Sequence, residues 1–206
     1  MDKIVSLCKR RGFVFPGSEI YGGFQGFYDF GPLGVEMKNN LKKLWWDWMT
    51  KEHDNIVGID GAIITNPKVW EASGHVKSFV DPLVECKKCH HRFKADDMTS
   101  EKCPDCGGVL TEPKVFNILV PTQLGIIEGE KTNAYLRGEA CQTIYLNYKN
   151  VLDTTRLKIP FGICQIGKAF RNEVTPGNFL FRQREFEQWD LQWFCRPDEM
   201  DKWFEY

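Results

Sequence analysis

Two stretches of period-two alternation, joined by a turn cluster, constrain the fold of this chain more than any other feature. Across 161–173, Gln165, Gly167, Ala169, Arg171 and Glu173 fall on one face of an extended strand, with Cys164, Ile166 and Phe170 on the other. The segment Val174-Thr-Pro-Gly-Asn178 is a turn cluster. The return strand again separates its faces, with Arg182, Arg184, Phe186, Gln188, Asp190 and Gln192 together. The small residues in the first strand suit a floor left open for a ligand. Two polar faces with arginines and an aromatic describe a site for a phosphate and a planar ring, because the guanidinium fork matches phosphate oxygens. Alternation alone is equally compatible with a solvated sheet face laced with cross-strand Arg–Glu pairs.

The rest of the chain fits a sheet with helices placed mainly before it. Apolar Met37, Leu41, Leu44, Trp45, Trp48 and Met49 recur at helical spacing and predict an amphipathic helix over 35–52, with Lys38, Lys42, Lys43 and Asp47 on the opposite face. Residues 8–16 predict a short helix entering a turn, 17–24 a glycine-rich loop, 56–65 a strand, and 68–73 a short helix. Strands are predicted at 115–121, 142–147, 162–173 and 182–194. The grouping favours an α+β fold with an antiparallel sheet flanked by helices over a doubly wound one. With 42% hydrophobic and 14% aromatic residues, the 206-residue chain can fill a real core.

Residues 86–108 differ from their surroundings: they are charged, poor in aliphatics and cysteine-paired. Cys86 and Cys89 form one CxxC pair, Cys103 and Cys106 a second. Each pair can place two thiolates on one tight turn, and four satisfy a closed tetrahedral zinc site. This predicts a small zinc-ribbon insert dividing 1–85 from 109–206. The metal there is structural. His90 and His91 adjoin the site and are read as solvated loop residues. Zinc ribbons also occur in nucleic-acid binders, which keeps an RNA-associating module open. Cys8, Cys141, Cys164 and Cys195, scattered among apolar neighbours, read as reduced core thiols.

Several functions are disfavoured. Net charge is −1, from 27 basic and 28 acidic residues, so no overall basic excess advertises a phosphate-tracking surface. The N-terminus has no secretory pattern and no segment approaches a membrane span, which predicts a cytoplasmic protein that does not cross a membrane. Gly162 to Ala169 nearly matches a P-loop, but alanine replaces the magnesium-binding hydroxyl and the intervening residues suit a strand.

Phe170-Arg171-Asn172-Glu173, followed by Phe181-Arg-Gln-Arg-Glu-Phe-Glu-Gln188, resembles motif 2 of class II aminoacyl-tRNA synthetases, and more narrowly the glycyl-tRNA synthetases. The strings at 12–23 and 28–34, Asn66-Pro67 with Ala72-Ser-Gly-His75, and Pro160-Phe-Gly-Ile163 are similar to that family too, so the resemblance covers nearly the whole chain. It implies ATP-dependent activation of glycine to glycyl-adenylate and transfer to tRNA(Gly), with ATP and Mg²⁺ beside the structural Zn²⁺. Arg171 would bind the α-phosphate, Glu173 the adenine amino group and Arg182 the γ-phosphate, while Phe186 would stack on adenine. Asn172, Phe181, Gln183, Arg184 and Glu185 would complete the nucleotide grip.

Leu136-Arg137-Gly138-Glu139 stands where the family has Arg-Pro-Glu-Thr, so Glu139 would hold the glycine ammonium. Phe186, Glu187, Gln188, Trp189 and Asp190 would flank it, and Lys94 would reach the substrate. Gly138 in place of proline is expected to loosen the loop, and Asp190 is one methylene shorter than the usual glutamate. The resemblance also implies a homodimer through 35–52, and a third motif beyond Tyr206. The alternative is a non-catalytic or truncated zinc-binding relative acting in dimerisation or RNA association.

Overall fold

A computed structural model describes residues 1–174, 176–177 and 179–205; of the 174–178 turn cluster, Thr175 and Asn178 lie outside the described residues. The N-terminal part contains α1 (Asp2–Arg10), β1 (Val14–Pro16), β2 (Tyr28–Phe30), α2 (Pro32–Lys51), β3 (Ile56–Gly58), β4 (Ile64–Thr65), α3 (Pro67–Ala72) and α4 (His75–Ser78). The middle contains β5 (Val80–Glu85), β6 (Arg92–Lys94), β7 (Lys114–Asn117), β8 (Val120–Leu124) and β9 (Thr132–Leu136). It closes with α5 (Cys141–Thr155), β10 (Phe161–Phe170), β11 (Glu185–Phe194) and α6 (Met200–Phe204).

The predicted hairpin forms, with shorter strands than predicted: Arg171, Glu173, Arg182 and Arg184 lie outside them. Strands β10 and β11 pair antiparallel from Phe161 opposite Phe194 to Phe170 opposite Glu185. The α+β reading holds, with one parallel neighbour: β3 lies along β10, Ile56 opposite Gly162. Two further antiparallel sheets run β4-β9-β8 and β6-β5-β7. Helix α5 covers one face of the hairpin, where Ile144 and Val151 pack on Phe161 and Ile163, with Tyr148, Leu152 and Phe194 around them. Burying each such side chain stabilises by about 1.5–3 kcal/mol.

Helix α2 covers the other face, with Trp45 of its apolar row and two lysines of its charged side turned to the sheet. Trp45 meets Trp189 at 5.9 Å between ring centroids. Lys38 and Lys42 reach inward to Glu187. Met37, Leu41, Leu44 and Trp48 point outward, 48–68% exposed.

Three predicted strands are corrected. Residues 142–147 belong to α5, because Ile144, Tyr148, Val151 and Leu152 recur at helical spacing and six residues are too few to show it. The 56–65 strand divides at Asp60-Gly61: β3 joins the hairpin sheet while β4 joins β9. The strand at 115–121 divides into β7 and β8 where Asn117 Oδ1 accepts from the Leu119 amide at 2.8 Å. Glycine at 167 leaves space, but the floor is not open. The Arg137 guanidinium fills it, and a Cβ there would lie 3.0 Å from Arg137 Cζ. Among the described residues no helix is long and apolar enough to cross a membrane.

Candidate functional site

The sequence-derived candidates gather in three places. The first is the cysteine cluster below strands β5 and β6. The four sulfurs of Cys86, Cys89, Cys103 and Cys106 lie within 4.8 Å of one another. Cys86 and Cys106 are 3.5 Å apart, Cys89 and Cys103 3.6 Å. Thiolates about 2.3 Å from a tetrahedral zinc are about 3.8 Å apart, so the donor set fits such an ion. Gly108 makes the approach possible: a Cβ there would lie 2.8 Å from Cys86 Sγ. The Cys89 amide leads the effects that pull the Cys86 thiol down to about 6. The His91 amide pulls Cys89 the same way, but burial and the three neighbouring sulfurs push it up to about 12. The sulfurs crowd one another's charge, so all four ionise together only around a cation. His90 and His91 turn away to Glu85 and Asp105 at 3.2 and 2.6 Å.

The second place is where the hairpin passes the start of α5. Arg137, 1% exposed, is its anchor. Its Nε donates to the Lys168 carbonyl at 2.6 Å, and one terminal nitrogen donates to the Gly61 carbonyl at 2.8 Å and to Gln165 Oε1 at 3.5 Å. Burial lowers its pKa, and Asp60 opposes that. Gln165 in turn donates to the Ala140 carbonyl and to Thr143 Oγ1. These bonds fix the 137–140 turn on the sheet. Gly138 is packed, a Cβ there lying 3.0 Å from the Phe79 ring and 3.1 Å from Leu119.

Glu139 stands on that turn. Its Oε2 accepts from His75 Nε2 at 3.0 Å and Gln142 Nε2 at 3.3 Å. Its Oε1 is 3.7 Å from Arg171. Arg171 Nε donates to the Gly138 carbonyl at 3.2 Å, and its guanidinium lies 5.2 Å from both the Phe79 and Phe186 rings. Gln188 Oε1 accepts from the Ala140 amide at 2.8 Å. Asp190 Oδ1 accepts from Gln192 Nε2 at 2.7 Å, and Gln192 Oε1 from the Tyr145 hydroxyl at 2.6 Å. Burial, then the charges of Glu139 and Asp190, push the Cys141 thiol up to about 12. Glu139, Arg171, Phe186, Gln188 and Asp190 thus share one side of the hairpin. Two carboxylates and a cation flanked by aromatic rings can receive an ammonium and an anionic group together.

The other candidates lie elsewhere. Glu187 faces α2, its carboxylate 2.9 and 2.8 Å from Lys38 and Lys42. Burial raises its pKa, and the hydrogen bonds from Lys42 and Lys38 outweigh that and hold it low. Trp189 faces α2 as well. Lys94 pairs with Asp81 at 2.6 Å, Arg182 with Asp97 at 3.7 Å, and Lys168 with Glu185. Asp81, Lys94, Lys168, Arg182 and Glu185, with Phe181 and Gln183, border a third place: a cavity of about 730 Å³ that also touches Arg171, Glu173 and Phe186. Gln183 Nε2 donates to the Leu180 carbonyl, and the Asn172 amide to the Ile118 carbonyl. Arg184 is a brace: Nε and one terminal nitrogen donate to the Glu173 carbonyl at 3.0 and 2.9 Å, the other to Gln25 O at 3.4 Å. Sequence reasoning gave no role to Arg137, Gln165 or His75. The strings around His75 and Arg137 and the strand face holding Gln165 had drawn notice, but not these side chains.

The chain is similar to known proteins. The family model for the tRNA synthetase class II core domain (G, H, P, S and T) matches residues 125–206. A glycine–tRNA ligase of Treponema denticola is 56% identical over 211 residues, covering 100% of this chain and 47% of that protein. One from Thermobifida fusca is 51% identical over 224 residues, covering 100% and 48%. The chain spans about half the length of the curated relatives it matches. A solved RNA-binding domain of threonyl-tRNA synthetase from Cryptosporidium parvum superposes with TM-score 0.60 at 18% identity over 96% of this chain and 38% of that one, a likeness of fold alone.

Proposed function

We propose a function from one premise: this chain belongs to the glycine–tRNA ligase family. The protein activates glycine with ATP, and this chain carries part of the active site. The observation that carries the reading is the meeting of Glu139, Asp190, Arg171 and Phe186 on one side of the β10–β11 hairpin. Glycine has an ammonium and a carboxylate and no side chain, so recognition rests on charge pairing in a space too small for anything larger. Glu139 and Asp190 receive the ammonium. Arg171 draws the glycine carboxylate and the ATP α-phosphate together, and Phe186 stacks on adenine.

A carboxylate oxygen of glycine attacks the α-phosphorus, forming the acyl-phosphate bond of the adenylate. The bond to the bridging oxygen breaks, and pyrophosphate leaves with its electrons. No general base is required, because the attacking carboxylate is already ionised. The protein's contribution is placement and offset of charge. Mg²⁺ accompanies the nucleotide. Transfer to tRNA(Gly) follows from the same family premise.

Of the wider candidate set, Arg182 and Lys94 line the large cavity, which Arg171 and Phe186 join to the Glu139 side of the hairpin, and Glu187 and Trp189 are engaged with α2. We assign the glycine ammonium to Glu139 and Asp190, and the nucleotide to Arg171, Glu173 and Phe186, with Arg182 at its phosphate end. The four thiolates hold one structural zinc, and the outward apolar row of α2 meets a second copy in a homodimer. The protein acts in the cytoplasm. The test is ATP–pyrophosphate exchange with glycine, alanine and serine supplied separately. Exchange with glycine alone is expected; exchange equal with all three, or with none, overturns the reading.

A further inference from the structure

The two oxygens of the Glu139 carboxylate are not equivalent. Oε2 faces three donors: His75 Nε2 at 3.0 Å, Gln142 Nε2 at 3.3 Å and the Cys141 thiol at 3.6 Å. Oε1 looks towards Arg171. The histidine bond is the shortest of the three, and the placement of its ring is over-determined. A carboxylate only accepts, so with a neutral ring Nε2 carries the proton and Nδ1 accepts from Ser73 Oγ at 2.8 Å. The ring lies between two aromatic neighbours, with centroids 5.2 Å from Trp70 and 4.9 Å from Phe79. Phe79 is also the ring that flanks the Arg171 guanidinium.

The backbone beneath is equally fixed. Gly74 opens α4 at φ 82°, and Asn117 Nδ2 donates to the carbonyls of His75 and Val76 at 3.0 and 2.8 Å. Trp70 is anchored in turn, its indole donating to Thr65 Oγ1 at 2.7 Å.

We propose that His75, held by Ser73 and clamped between Trp70 and Phe79, is a positioning residue that ties down Glu139 Oε2 so that Oε1 presents to the amino group of the substrate. The inference rests on the glycine-site reading above. A carboxylate bonded on one oxygen keeps one orientation, so less freedom is lost when the ammonium arrives. Loss of the bond leaves the charge in place but holds Oε2 only by the longer Gln142 and Cys141 contacts at 3.3 and 3.6 Å, so its orientation is loosened. Glycine affinity therefore falls, while Arg171, which keeps its bond to the Gly138 carbonyl and its place between Phe79 and Phe186, still grips the nucleotide.

The experiment is steady-state ATP–pyrophosphate exchange by the whole protein, with KM measured separately for glycine and ATP. His75→Phe keeps the ring packing and removes both nitrogens. It is expected to raise the glycine KM about tenfold, the scale of one hydrogen bond to a charged group, with the ATP KM unchanged. His75→Gln keeps a donor that can reach Oε2 and is expected to recover most of the loss. In a Glu139→Gln background, His75→Phe is expected to add nothing further, because the carboxylate it positions is gone. Should the phenylalanine variant fail to fold by circular dichroism, Ser73→Ala takes its place, with a smaller rise confined to glycine.

A wild-type glycine KM in these variants, or equal rises for glycine and ATP, overturns the inference and leaves the site reading intact. A wild-type protein whose exchange ignores glycine overturns both.

Discussion

Gly167→Ala is the substitution for which the structure gives the clearest magnitude. The added methyl would sit against a terminal nitrogen of Arg137 and 3.0 Å from its Cζ. A flexible side chain could swing away, but this one is 1% exposed and donates to the carbonyls of Lys168 and Gly61 at 2.6 and 2.8 Å. Displacing it breaks two charge-assisted bonds worth about 1.5–3 kcal/mol each. Relaxation and entering water recover part of this, which leaves a destabilisation of about 3–5 kcal/mol, the range for disrupting a buried ionic group. Against a total of about 5–15 kcal/mol, that is a large fraction.

Urea unfolding followed by tryptophan fluorescence reads it as a lower midpoint with an unchanged slope. The decisive control is the cycle with Arg137→Ala. In that background Gly167→Ala is expected to cost under about 1 kcal/mol, because the colliding group is gone. Equal costs in the two backgrounds would refute the reasoning.

Metal analysis of protein purified without chelator is expected to return about one zinc per chain, and Cys103→Ser to lower it; a metal-free wild type contradicts the four-thiolate site. Glu187 is held below the ordinary carboxyl value of 4.5 by Lys42 and Lys38, against the opposing effect of burial. A depressed folded pKa gives stability that is present above the unfolded value and lost as pH falls through the folded one. The stability difference between wild type and Glu187→Gln is therefore expected to shrink as acid is added below pH 4.5, and a difference flat with pH removes the ion-pair account. Trp48→Glu with Leu44→Glu on the outward face of α2 is expected to shift sedimentation from dimer to monomer; an unchanged sedimentation coefficient counts against that interface.

The hairpin was legible because alternation is a local signal, but its register, Phe170 opposite Glu185 across a long connection, was not. The helix at 35–52 was legible in extent but not in orientation. Its apolar row fits burial against the sheet or against a partner chain equally, and Glu187 on β11 draws Lys38 and Lys42 to the sheet, a pairing 149 and 145 residues distant in sequence for which no local pattern exists. Residues 142–147 were misread for the opposite reason: the window was shorter than the helix's own period required. The paired cysteines announced their cluster, since CxxC spacing encodes its geometry. Arg171 and Phe186 came to notice through alternation and Glu139 through resemblance, and only the fold could show that they meet. His75 and Arg137 stayed silent, because a buried polar group declares its purpose through its partners.

The most direct measurement for the account as a whole is glycine-dependent ATP–pyrophosphate exchange by Arg171→Ala beside wild type. Arg171 is the cation that Glu139 and Phe186 share, and removing a preorganised charge from a developing transition state costs on the order of 10²–10³ in rate. The account predicts a loss of at least that size in a variant that still unfolds at close to the wild-type midpoint. A folded Arg171→Ala protein that exchanges at the wild-type rate would contradict it.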